Sequence, residues 1–101
     1  MGTKNQPGKF DCLDKAEADE PFFVLLARDP HAAHLVSIWA KLRHQDFEAA
    51  TVVFNDLVRK IHIAAPEIRA GDSDKVEEAM HCSSEMFKWI GDNRPDRSLN
   101  K

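Results

Sequence analysis

Glycine is scarce, four in 101 residues, which leaves little room for a loop that cradles phosphate with its backbone N–H groups. The short catalytic and nucleotide-binding patterns are missing as well: no Gly-x-Ser-x-Gly elbow, no Walker loop, no dinucleotide glycine pattern and no His-Glu-x-x-His helix. Cysteine is limited to Cys12 and Cys82, too few and too far apart for a disulfide framework, so two reduced thiols are expected. No apolar run is long enough to cross a bilayer, and the polar opening Met1–Lys9 leads into no signal-peptide core. Gln6 stands where a myristoylation signal needs serine or threonine. The expected compartment is the cytoplasm, with no membrane partner. A basic excess is also lacking. With 17 acidic residues against 14 basic ones, nucleic acid and anionic membranes are disfavoured as partners.

What the chain does contain is helical periodicity. A length of 101 residues fits one domain, which at this mass buries about 65% of the surface its unfolded chain exposes. The central stretch opens with Asp29 as an N-cap and Pro30 at the first helical position. Leu35, Ile38, Trp39 and Leu42 then recur at helical spacing, giving a helix over residues 30–44. Trp39 is its large apolar residue; if it is buried, truncation to alanine costs roughly 3–5 kcal/mol. A second helix over 46–63 has Asp46 as cap and Phe47, Ala50, Phe54, Leu57, Val58 and Ile61 as its buried stripe. A third over 73–90 starts at Asp72 or Ser73, carries Val76, Ala79, Met80, Ser83, Phe87 and Ile90, and ends at Gly91 as a left-handed cap. The short link between Leu42 and Phe47 makes the first two antiparallel neighbours.

Two segments are less plainly patterned. Residues 10–20 hold Asp11, Asp14, Glu17, Asp19 and Glu20 against Lys15, with Phe10, Leu13 and Ala16 on one side of a short helix. The apolar run 21–27 fits a strand or a helix equally by periodicity. A strand needs a partner for its backbone groups and none is in sight, so a short helix is expected there. The expected organisation is a disordered tail at 1–9, a single helical domain at 10–91 and a flexible tail at 92–101. The fold class is all-α: a small bundle of four or five helices with disordered termini.

The search for chemistry turns up little. His31 and His34 share one side of a helix, but a metal needs a third ligand, and only the distant His81 and Cys82 offer one. His81 and Cys82 are adjacent in sequence, so on a helix they diverge and do not form a nucleophile–base pair. Glu77 and Glu78 read as first-turn charges that complement the helix dipole. No catalytic residue, cofactor or metal site is expected, and the chain is not expected to be an enzyme.

The run Asp19-Glu20-Pro21-Phe22-Phe23-Val24-Leu25-Leu26-Ala27-Arg28-Asp29, preceded by Asp14-Lys15-Ala16 and followed by Leu35-Val36 and Trp39-Ala40, resembles a group of short uncharacterised proteins of proteobacteria and their phages or prophages. The shared pattern is Asp-Glu-Pro-x-Phe-Val-Leu-x-Ala-x-Asp, then Leu-Val-x-x-Trp-Ala. A late helix matching Val76–Ala79 through Met86, Trp89 and Pro95 extends the resemblance over most of residues 14–95. It implies a small soluble accessory protein of mobile-element origin and transfers no activity.

The functional expectation is a non-enzymatic, protein-binding accessory module. Its contact surface is expected at Asp11, Asp14, Glu17, Asp19 and Glu20, together with Phe22 from the apolar run. The alternative is a nucleic-acid-associated regulator using Lys41, Arg43, Arg59 and Lys60. A homodimer whose pairing completes the core is a third expectation.

Overall fold

The computed structural model describes residues 1–10, 12–63 and 72–99. Among the described residues four α-helices follow one another: α1 (Cys12–Lys15), α2 (Ala32–Arg43), α3 (Phe47–Ile63) and α4 (Asp72–Asn93), with a 3-10 turn at Pro95–Arg97. No strand occurs among the described residues, so the fold is all-α, as the periodicity requires. The chain divides into two compact units, one of Met1–Phe23 with Gly71–Lys101 and one of Val24–Ala70.

In the Val24–Ala70 unit, α2 and α3 form an antiparallel hairpin. Leu42 and Ile38 meet Phe47, Ala50 and Phe54 at one end, while His34 meets Asp56 further along. The bend is a Schellman motif. Asp46 N–H donates to the Lys41 carbonyl at 2.9 Å and Gln45 N–H to the Leu42 carbonyl at 3.1 Å. Gln45 takes the left-handed conformation, φ +62°. Asp46 then caps α3 as expected, its Oδ1 accepting the Ala49 N–H at 3.1 Å. Among the described residues of this hairpin the buried apolar ones are Ala32, Ala50 and Leu57, whereas Phe47 and Phe54, expected on the buried stripe of α3, are more than half exposed.

Three expectations for this unit are corrected. The helix expected from Pro30 starts at Ala32, and Asp29 is not its N-cap. Asp29 Oδ1 accepts the His31 N–H at 2.8 Å, closing a local turn two residues early, and His31 occupies the cap position without a side-chain bond. Trp39 is not the buried centre: it is 58% exposed. Its ring lies a quarter-turn or more from the line of His34 and Ile38 that faces α3, and the Arg43 guanidinium stacks over it at 5.8 Å.

The short helix expected over 21–27 does not form; residues 21–26 have no regular structure. Seven residues are too few to repay helix nucleation without tertiary packing. Phe22, Phe23, Val24 and Leu26 are each at least half exposed.

In the other unit, Met1's amino group donates to the Phe10 carbonyl and a turn links Thr3 with Gln6. The helix expected over 10–20 shrinks to α1, because a turn follows in which Glu17 N–H donates to Glu20 Oε1 at 3.1 Å and Glu20 N–H to the Glu17 carbonyl at 3.1 Å. Such local bonds compete directly with helix continuation. Helix α4 runs through Gly91 to Asn93, so Gly91 is an interior helical residue, not the expected left-handed cap. The connection expected over 64–72 lies outside the described residues up to position 71.

Candidate protein-contact surface

The segment from Glu17 to Phe23 lies along α4 and runs antiparallel to it. At one end Glu17 Oε2 meets Arg94 Nη2 at 3.5 Å. In the middle, Asp19 and Pro21 form one wall of a cleft of about 370 Å³ whose other wall is α4, through Glu85, Lys88, Trp89, Asp92 and Asn93. At the far end the Cys82 thiol donates to the Phe22 carbonyl at 3.3 Å, and Phe23 closes a shallow apolar hollow with Ala79, Cys82, Ser83 and Met86. The α4 residues recur every three or four positions because only that spacing keeps them on one helical face.

The cleft has a mixed chemistry. Asp19, Glu85 and Asp92 bring three carboxylates to it, against the single ammonium of Lys88. Trp89 supplies the aromatic wall. The Arg94 guanidinium lies 5.4 Å from its ring centroid, and Asn93 Nδ2 donates to the Trp89 carbonyl at 2.9 Å. The indole Nε1 is buried and has no hydrogen-bond partner, an orphan donor that ordinarily costs free energy.

The expected contact residues are thus only partly gathered. Asp11 lies outside the described residues. Asp14 sits on α1, exposed. Glu17 pairs with Arg94 and Glu20 is tied into the local turn, so neither is a bare charge. Asp19 alone joins the cleft. Phe22 is beside it, 58% exposed. Reasoning from sequence missed Glu85, Lys88, Trp89 and Asp92. Their spacing on one face was visible, but nothing marked which segment lies against that face.

The basic residues of the alternative reading are not brought together. Lys41 Nζ donates to Ser37 Oγ at 3.0 Å near the bend, and Arg43 stacks on Trp39. Arg59 and Lys60, towards the opposite end of the hairpin, both hold Asp56, at 2.7 and 3.0 Å. Hydrogen bonds from Lys60 and then Arg59 hold the Asp56 carboxyl below the usual aspartate range. The histidines likewise turn to separate carboxylates, His31 to Asp29 at 3.6 Å and His34 to Asp56 at 3.8 Å. His81 faces Glu85 at 4.0 Å, one turn along α4 and away from the Cys82 thiol. No helix among the described residues is long and apolar enough to cross a membrane. No family model, curated protein or solved structure matches the chain.

Proposed function

We propose that this chain is a small non-enzymatic accessory module that works by binding another protein, through the segment 14–22 and the face of α4 beside it. The observation that carries this reading is the cleft between Asp19 and α4. Three carboxylates and the Trp89 indole line it, and the exposed ring of Phe22 lies next to it. A basic side chain answers the carboxylates and stacks on an aromatic wall. An apolar neighbour in the same partner covers Phe22. The complementary surface is therefore a basic, partly apolar protein segment.

The test is titration of the full chain with an arginine-containing amphipathic peptide, followed by tryptophan fluorescence. Binding should weaken with added salt and be lost in the Asp19→Lys/Asp92→Lys double variant. A peptide that binds the double variant as well as wild type, or fails to bind wild type at all, overturns the reading. Duplex DNA serves as the comparison ligand, and tighter, steeply salt-dependent binding to it would favour the nucleic-acid reading instead.

A further inference from the structure

We infer that the run 23–26 is a processing site, cut by an endoprotease that prefers an aromatic or leucine side chain before the scissile bond. The inference is independent of the cleft on α4 and of any partner that fills it.

An endoprotease takes its substrate as an added strand, with main-chain hydrogen bonds for affinity and pockets for the side chains. Peptide groups inside a helix must first break their own hydrogen bonds, so the long helices α2, α3 and α4 are closed to it. Residues 21–26 have no regular structure to break. Among the described residues, the bonds to this backbone lie at its two ends. The Phe22 carbonyl accepts from the Cys82 thiol at 3.3 Å, and the Leu26 carbonyl accepts from the Asp29 N–H at 2.9 Å. The peptide groups between them are committed to no other described residue.

The side chains suit an apolar specificity pocket. Phe23, Val24 and Leu26 are half exposed or more, and Leu25 is 36% exposed. Outside the helices, the other exposed apolar residues offer less. Phe10 stands alone, with Lys9 and Lys15 over its ring and its carbonyl taken by the Met1 ammonium. Leu99 is fully exposed, but a cut after it removes only Asn100 and Lys101.

Within the run, the Leu25–Leu26 bond is the most open. Phe23 closes the hollow on α4 and the Leu26 carbonyl is in use, whereas the Leu25 carbonyl is not. At that bond water adds across the amide. Its oxygen bonds to the Leu25 carbonyl carbon as the C–N bond breaks, and a proton passes to the Leu26 nitrogen. The products are residues 1–25 with a new carboxylate and residues 26–101 with a new ammonium. The division between the two compact units falls at Phe23–Val24 and again at Ala70–Gly71. Scission in the run leaves the second of these as the main covalent tie between them.

Limited digestion of the full chain with chymotrypsin, read by intact-mass spectrometry, tests this. The first internal cut should fall after Phe23, Leu25 or Leu26. Because no unfolding is required, its rate, normalised to a short peptide substrate, should stay constant across urea concentrations below the unfolding transition. A cut that waits for opening speeds up with the unfolded population instead. The Phe23→Ser/Leu25→Ser/Leu26→Ser variant empties the specificity pocket and should slow the internal cut about tenfold or more, with the far-ultraviolet helix signal unchanged. Should that variant lose its helix signal, the urea dependence of wild type carries the test. A first internal cut outside residues 23–27, a rate that climbs with urea in step with unfolding, or a folded triple variant cut as fast as wild type overturns the site.

Discussion

Gln45 holds a backbone conformation that costs an L-residue roughly 1–2 kcal/mol. It does so because the two Schellman bonds to Lys41 and Leu42 need a left-handed residue at this position. Glycine takes that conformation freely but surrenders about 0.5–1 kcal/mol of extra chain entropy on folding. Gln45→Gly should therefore raise stability by about 0.5–1 kcal/mol, read from the urea midpoint. Asp56 makes a pH-dependent contribution. Its native pKa is depressed by Lys60 and Arg59, so the native state binds its proton less readily than the unfolded chain does. That stabilisation is complete above the ordinary aspartate pKa and is lost as pH falls through the lower native value. Asp56→Asn should flatten the acid limb of a helicity-against-pH curve. The side chain is about one-third exposed, so added salt should shrink the difference between variant and wild type.

Among the elements, α3 is the one the sequence describes best. Its cap follows from local rules, and Asp46→Ala should cost about 0.5–2 kcal/mol in thermal or chemical denaturation; of its expected buried stripe only Ala50 and Leu57 are buried. The start of α2 was obscured because aspartate serves local turns as readily as caps, and Asp29 spends its carboxylate on His31. Gly91 misled for a related reason: glycine is common past a helix end but not confined there. A Cβ built on Gly91 meets nothing within 4 Å. Gly91→Ala should therefore stabilise α4 by about 0.5–1 kcal/mol, seen as a higher thermal midpoint. The run 21–27 could not be read locally at all. Its first residues lie against α4, where the Cys82 thiol donates to the Phe22 carbonyl, and that contact spans sixty positions.

For the molecule as a whole, element type was legible and burial was not. Apolar periodicity identifies which residues share a face, but the identity of the covering surface is a tertiary fact. Trp39 illustrates this: it lies on an apolar arc of α2, yet α3 covers a different arc. The acidic cluster shows the same limit, since Glu17 and Glu20 are consumed by Arg94 and by a turn, leaving Asp19 to meet Glu85 and Asp92.

The bend at Gln45 has one more implication. Residues 43–46 are Arg, His, Gln and Asp, with no glycine or proline to forbid a continuous helix. Rotation of Gln45 into the right-handed region would fuse α2 and α3 into a rod of about 48 Å, at 1.5 Å per residue. Only the caps and the tertiary packing of the hairpin hold out against that straightening. The bend is thus the hinge at which two chains would trade arms at least cost.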